Sequence, residues 1–270
     1  MDEVQRYWFD SQGYFVVPEV LSDGQVAALK ETMGPPTEQH DPGAKEENPL
    51  HWSDSWRDLL DLPVLRPILE SLVGNHELRH YREKKYGDEY LPTYRLDHIN
   101  VHQHVQKGFP GMDFHGGWTA AGGSQYFRYH DGEFYNGLIV VAIELFDTHD
   151  NGGGFCCIPG SHKSNLPLPR DWIAKGNPAG GLVKGVPARA GDAIVFTETL
   201  VHGTLPWTVD APRQTAFYKF SPHGTSWTAD YFEPTDFSQY PDMTDRKMAL
   251  LEPPNARYAG RRTRPPRVGS

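Results

Sequence analysis

Cysteine is scarce in this chain of 270 residues, whose only two thiols, Cys156 and Cys157, are adjacent. Adjacent cysteines seldom reach the geometry of an unstrained disulfide, so a disulfide framework is excluded and a reducing, cytoplasmic setting is expected. No run of 18 apolar residues occurs, and the opening MDEVQRYWFD lacks both the basic and the apolar part of a signal peptide. The sequence therefore predicts a soluble, unprocessed protein with no membrane partner.

Basic residues are also in deficit, with 26 Lys and Arg against 35 Asp and Glu and a formal charge of −9. This balance disfavours a protein that binds polymeric nucleic acid through phosphate attraction, but it allows a small phosphorylated substrate in a local basic pocket. The exception is residues 257–270, a basic tail that holds five arginines and no acid. The tail is interpreted first as a solvated segment and second as an anion-binding arm.

Several catalytic fingerprints are missing. No G-x-G-x-x-G joins a strand to a helix, which removes the main support for a doubly wound dinucleotide fold. Walker A, G-x-S-x-G and HExxH motifs do not occur either. The common phosphate-binding loops, serine hydrolases and zinc proteases are therefore not indicated.

The order of hydrophobic patterns indicates one domain with helices first and strands afterwards. A strand at 14–17 and a helix from Ser22 or Asp23 to Met33 are predicted, then helical segments over 52–73 divided by Pro63 and Pro67. Short strands separated by glycine-rich turns follow from Asn100. We therefore expect a single domain over 1–256, with a helical part at about 1–99 and a β core at about 100–222. The fold class is mainly β with flanking helices, a sandwich or jelly roll.

Two histidines and one arginine have positions that suit a metal site. His115 precedes a glycine-rich loop, His202 follows the predicted strand 193–196, and Arg213 comes 11 residues later. Neutral imidazole is the commonest metal ligand in proteins, and two strand ends of a sandwich can bring distant histidines to one ion. A buried arginine beside them would pair with a carboxylate of a cosubstrate.

At these residues the chain resembles the phytanoyl-CoA dioxygenase-like branch of the Fe(II)/2-oxoglutarate oxygenases. The resemblance covers most of the chain, and its most specific parts are the Pro159-Gly160-Ser161-His162 turn and the spacing from His202 to Arg213. Weaker matches lie at Gly13-Tyr14-Phe15-Val16-Val17-Pro18, Gly153-Gly154-Phe155, Gly191-Asp192 and Arg213-Gln214-Thr215.

The resemblance implies a double-stranded β-helix, the jelly roll of cupin-like proteins. It implies His115 and His202 as iron ligands and Arg213 as the partner of the 2-oxoglutarate C5 carboxylate, with Thr215 as a helper. Fe(II), 2-oxoglutarate and O2 are the implied cofactors and cosubstrates.

One departure from the family pattern changes the expected reaction. Most members hold iron with a His-x-Asp or His-x-Glu pair and a distal histidine, whereas this chain has Gly117 at the carboxylate position. The replacement resembles that of halogenases in which chloride, also carrying −1, takes the vacated position. We therefore expect chlorination of an unactivated C–H bond in a free small molecule, with Gly117 leaving space for chloride.

Three alternatives remain for Gly117. It is a plain turn glycine if Asp113 or Asp131 supplies the carboxylate, and the enzyme is then a hydroxylase of the same fold. Water completing the iron site would lead to the same reaction. If turnover has been lost, the protein is a metal- or ligand-binding sandwich without catalysis.

Candidate substrate and cosubstrate contacts flank the metal loop. Asn100 and His102 are alternate residues of a predicted strand, so their side chains share one face. If that face is turned to the site, it contacts 2-oxoglutarate or substrate. If it is turned outward, it contacts solvent. Trp118, Tyr126 and Arg128 offer stacking surfaces and a cation on the expected substrate side, although aromatic core packing explains many such residues. Nucleotide halogenases are one group that this arrangement resembles.

Overall fold

The computed structural model describes residues 1–33, 48–74, 91–104, 107–117, 125–149, 152–175 and 177–256. The helices are α1 (Glu3–Gln12), α2 (Asp23–Met33), α3 (Asp54–Asp58), α4 (Arg66–Leu72) and α5 (Asp245–Leu250). The strands are β1 (Tyr14–Val17), β2 (Tyr94–His104), β3 (Met112–His115), β4 (Phe127–His130), β5 (Glu133–Asn136), β6 (Ile139–Glu144), β7 (Gly154–Cys157), β8 (Lys184–Gly185), β9 (Ala193–Thr197), β10 (His202–Leu205) and β11 (Arg213–Pro222).

Two antiparallel sheets form the centre of the molecule. The five-stranded sheet has the order β1-β9-β6-β11-β2, and the four-stranded sheet has the order β3-β10-β7-β8. Strands β4 and β5 form a separate hairpin. Because the chain switches sheets between β9 and β10, residues at that turn lie where the two sheets meet. The predicted mainly β fold with flanking helices is confirmed.

One face of the five-stranded sheet is covered by the helices. Val141 on β6 and Tyr218 on β11 belong to the same buried cluster as Leu29 of α2 and Trp56 of α3. The Tyr218 hydroxyl donates to the Trp56 carbonyl at 2.7 Å, so the buried phenol has a partner. This layer fixes the sheet from behind and leaves its other face for the site.

The opposite face packs against the four-stranded sheet. Ala142, Phe196 and Phe217 form a buried cluster with Phe155 and Cys157 of β7. Since alternate strand residues share a face, the side chains two and four positions away from Phe217 on β11 also belong to the space between the sheets. These residues are Arg213, Thr215 and Lys219.

The helical part agrees with its predicted pattern except at the N-terminus. Helix α2 spans the predicted residues, and the second helical region is broken between α3 and α4, with Pro67 in the first turn of α4. Helix α1 was not predicted, because its apolar residues do not form one buried stripe: Phe9 is buried, whereas Val4, Tyr7 and Trp8 are exposed. An Asp2–Gln5 capping box begins this helix.

The basic tail from residue 257 lies outside the described residues. Within the described ranges, no helix combines the length and the apolarity needed to cross a bilayer. Both cysteines are buried and free, and burial raises the pKa of the Cys156 thiol to about 12, as expected for unreactive core thiols.

The turn after β3 is tightly packed against the turn between β9 and β10. Gly116 has a φ of 84°, and a Cβ added there would lie 2.8 Å from the Glu198 carbonyl oxygen and closer still to that of Leu200. Backbone cannot move aside as a flexible side chain can. A glycine is therefore required for β3 to end where it does.

Substituting Gly116 with Ala should destabilise the protein by about 2–5 kcal/mol, since the left-handed backbone and the overpacking both contribute. Gly132 is the matched control, because its φ is 82° and nothing lies within 4 Å of an added Cβ. Gly132→Ala should cost only about 1 kcal/mol for its backbone conformation. Urea unfolding of both variants measures the difference, and equal costs would contradict the packing argument.

Candidate active site

Strands β3 and β10 bring the two predicted histidines together. His202 lies directly opposite His115 in the antiparallel register, and their ring centroids are 4.1 Å apart. His202 is buried beside Phe196, whereas His115 is exposed. Residues 87 positions apart in sequence thus form one imidazole pair.

Both imidazoles are oriented by the same backbone contact. His202 Nδ1 lies 2.7 Å from the Leu200 carbonyl oxygen, and His115 Nδ1 lies 3.2 Å from that of Asp113. A carbonyl only accepts, so each Nδ1 carries the proton and each Nε2 is the nitrogen with a lone pair for a metal. Burial and the adjacent His115 lower the pKa of His202 well below its usual value, which keeps this ligand neutral.

A carboxylate that the sequence reasoning missed completes the cluster. Ligand atoms of His115, Glu198 and His202 all lie within 4.8 Å of one another. Glu198 Oε1 is 4.0 Å from His202 Nε2, and its Oε2 is 3.2 Å from Lys219 Nζ. The available signal was that Glu198 is the only acid between Asp192 and Asp210 and stands four residues before His202.

Asp113 and Asp131, the two candidates for the carboxylate absent at position 117, do not belong to this cluster. Asp113 is exposed and accepts a hydrogen bond from the Lys175 backbone N–H, and Asp131 is exposed in the turn of the β4–β5 hairpin. Neither belongs to the His115–Glu198–His202 group.

Gly117 is a packed turn residue in this structure. Its φ is 81°, its N–H donates to the Thr199 carbonyl at 2.7 Å, and a Cβ there would lie 2.8 Å from Val201 Cγ2. An aspartate at this position would be strained in backbone and would meet Val201. A side chain at position 117 would point toward Val201. Val201 therefore limits, on that side, the space that was expected to hold chloride.

Arg213 is buried and already faces a carboxylate. Its Nη2 donates to Glu144 Oε1 at 2.7 Å, and the Thr215 hydroxyl donates to Glu144 Oε2 at 2.6 Å. Arg213 and Glu144 have at most 1% of their side chains exposed. Both residues expected to hold 2-oxoglutarate are therefore partners of one buried acid that the sequence did not indicate.

The arginine shares the space between the sheets with the histidine pair. A Cβ at Gly154 would lie 3.3 Å from Arg213 Nε, and Gly154 pairs with Leu205, three residues beyond His202 on β10. Three strand residues span about 10 Å. Arg213 is thus displaced along the strand from the histidines by roughly the reach of a short dicarboxylate.

The polar residues of β2 lie beside the same face. His102 pairs with Thr215 and Asn100 with Phe217 across β2 and β11, and the His102 ring lies 4.6 Å from that of Phe217. Since Phe217 packs between the sheets, Asn100 and His102 are also on this side. Their contact with a cosubstrate stays a prediction.

Two of the three predicted substrate residues, Tyr126 and Arg128, lie next to each other. Arg128 on β4 is exposed, and its guanidinium lies 5.3 Å from the centroid of the Tyr126 ring. Burial raises the pKa of Tyr126. Trp118 lies outside the described residues.

The fold agrees with the comparison to known proteins. The model of the phytanoyl-CoA dioxygenase family matches residues 9–215, so the chain belongs to this family of iron- and 2-oxoglutarate-dependent oxygenases. A curated relative, ectoine dioxygenase of Sphingopyxis alaskensis, is 25% identical over 164 residues, which cover 58% of this chain and 49% of the relative. The chain thus matches about half the length of that relative.

Solved structures share the jelly-roll fold at low identity. HygX of Streptomyces hygroscopicus with nickel and 2-oxoglutarate has a TM-score of 0.63 and 20% identity, covering 84% of this chain and 89% of that one. HygX with nickel, 2-oxoglutarate and hygromycin B has a TM-score of 0.64 and 21% identity over the same shares. The epimerase SnoN with Fe3+, alpha ketoglutarate and nogalamycin RO has a TM-score of 0.54 and 20% identity, covering 82% and 84%.

Substituting His115 with Ala should lower the affinity for Co(II) or Fe(II) by more than about 100-fold, since removing a ligand costs more than removing its supporting contact. His115 is exposed, so the melting temperature without metal should hardly change. His130→Ala is the matched control, because that histidine is exposed on the hairpin. Anaerobic titration measures the affinity, and unchanged binding in His115→Ala would refute the metal site.

Substituting Glu144 with Gln should lower the melting temperature without ligand, because it leaves the buried Arg213 charge without its carboxylate at a cost of about 3 kcal/mol or more. The stabilisation by 2-oxoglutarate with Co(II) should then grow, since the ligand carboxylate replaces the lost charge. Asp242→Asn, which breaks the Arg57 pair in the helical layer, should lower stability without changing the ligand effect. A smaller ligand-induced shift in Glu144→Gln would show that Arg213 does not bind the cosubstrate.

Proposed function

We propose that this protein is an Fe(II)/2-oxoglutarate-dependent oxygenase that hydroxylates a C–H bond of a free small molecule. The observation that carries the proposal is the His115–His202 pair, whose two Nδ1 atoms are tied to backbone carbonyls so that both Nε2 atoms serve one ion. Membership in the phytanoyl-CoA dioxygenase family supports the same reaction type.

The donor set fits iron. Two neutral imidazoles and a nearby carboxylate form the type of site that non-haem Fe(II) oxygenases use. When bound, iron with 2-oxoglutarate and O2 supplies the oxidising power to break an unactivated C–H bond. The protein's part is to hold the ligands, orient the cosubstrate and keep the space between the sheets dry.

In this proposal Arg213 anchors the C5 carboxylate of 2-oxoglutarate. A guanidinium has five N–H donors, and Glu144 Oε1 accepts a hydrogen bond from one of them, on Nη2 of Arg213. The cosubstrate would share Arg213 with Glu144, while Thr215, Asn100 and His102 line the adjacent part of the five-stranded sheet. Because Glu144 neutralises Arg213, the protein keeps this buried cation stable before the cosubstrate binds.

Hydroxylation is preferred to chlorination because of Glu198. This residue already places a buried carboxylate beside the histidines, with Oε1 4.0 Å from His202 Nε2. In the halogenase pattern chloride fills a ligand position that no protein carboxylate occupies. With Glu198 present, the protein offers its own carboxylate for that position.

Chlorination is the second candidate, and Gly117 is the observation that favours it. The position two residues after His115 has no carboxylate, as in halogenases of this superfamily. A nucleotide substrate would belong to this candidate, with Arg128 and Tyr126 as its contacts.

The deciding experiment is mass spectrometry of a metabolite library incubated with the protein, Fe(II), 2-oxoglutarate, chloride and isotopically labelled O2. We expect a product that gains one labelled oxygen, formation of succinate, and no product without 2-oxoglutarate. His115→Ala serves as the inactive control. A product with the two-isotope pattern of chlorine would replace hydroxylation by the second candidate, and succinate formation that no substrate stimulates would refute both.

A further inference from the structure

We infer that Glu198 is the third protein ligand of the iron, so that the carboxylate absent at position 117 comes from the turn before His202. The inference rests on the proposed function, since it assumes that His115 and His202 bind the iron. In the family pattern the carboxylate ligand follows the first histidine, as His-x-Asp or His-x-Glu. Here it would precede the second histidine, as Glu198 in a Glu-x-x-x-His motif.

The distances suit a common ion. Donor atoms that each lie about 2 Å from one metal are at most about 4 Å apart. Glu198 Oε1 and His202 Nε2 are 4.0 Å apart, and all three residues have ligand atoms within 4.8 Å of one another. Because His115 is exposed, a small rotation of its side chain is enough to bring the third donor into range.

The buried position of Glu198 also favours a ligand role. Its side chain is 7% exposed, so its charge needs compensation from within the protein. Lys219 Nζ donates a hydrogen bond to Oε2 at 3.2 Å, and the other oxygen, Oε1, faces His202. This division matches a metal carboxylate whose second oxygen is held by a hydrogen bond from the protein.

The backbone of the turn fixes Glu198 and the histidines as one unit. The Glu198 N–H donates to the Leu138 carbonyl at 3.1 Å, and the Leu200 carbonyl of the same turn accepts from His202 Nδ1. The Gly117 N–H donates to the Thr199 carbonyl, which ties the loop after His115 to this turn. These main-chain contacts therefore hold the segments that carry the three donors next to one another.

The competing explanation is that Glu198 only neutralises Lys219. Under that explanation, removing either partner breaks the same ion pair and has the same effect on the site. Under a ligand role the effects differ, because removing Glu198 removes a donor atom, whereas removing Lys219 only releases Oε2, the oxygen that does not face His202. The two partners thus give variants that separate the explanations.

The test uses anaerobic Co(II) titration of the full chain, with affinity and the visible d–d spectrum as readouts. Glu198→Gln keeps the shape of the side chain and should lower the affinity by about tenfold or more and change the spectrum. Lys219→Met should lose less affinity than Glu198→Gln and keep the wild-type spectrum, because the carboxylate donor stays in place. Circular dichroism without metal checks that both variants are folded.

The inference is overturned if Glu198→Gln binds Co(II) with wild-type affinity and spectrum. It is also overturned if Lys219→Met loses as much affinity as Glu198→Gln, since the site would then need the ion pair instead of the free carboxylate. His115→Ala tells the two proposals apart. Metal loss in His115→Ala with normal binding in Glu198→Gln removes only the ligand role, whereas normal binding in His115→Ala removes the iron site of the proposed function.

Discussion

The turn that carries the chain from one sheet to the other is the constraint on which the site depends. Strand β9 ends at Thr197 in the five-stranded sheet, and β10 begins at His202 in the four-stranded sheet. The short connection between them must cross the space between the sheets at one point. It brings Glu198 to the face of His202, and its carbonyls orient the ring of His202 and hold the loop after His115.

Two buried carboxylates accompany the cations that β11 places between the sheets. Glu144 on β6 faces Arg213, and Glu198 in the turn after β9 faces Lys219. An unpaired charge in this space would cost several kcal/mol, roughly. The two pairs therefore keep both cations stable in the packed interior.

Sequence patterns predicted some elements and site residues and missed others. An apolar segment predicted β9, the prolines predicted the break between α3 and α4, and the family motifs predicted that His115 and His202 would meet. Helix α1 was not predicted, because it buries a single residue and its clearest signals are its caps. Asp113 and Asp131 were the nearest acids in sequence to the metal loop. Asp113 accepts from the Lys175 backbone N–H and Asp131 lies in the turn of the β4–β5 hairpin, so neither joins the cluster.

The sequence by itself determined the class of fold, the pair of histidines and the loss of the usual carboxylate at Gly117, because these depend on residue type, local pattern and family motifs. The tertiary structure alone decided which acids enter the space between the sheets. Glu144 and Glu198 are 54 residues apart, and each reaches the site through strand register and a sheet-switching turn. Such placement depends on which strands pair and which face is buried, and these long-range contacts leave no local mark in the sequence.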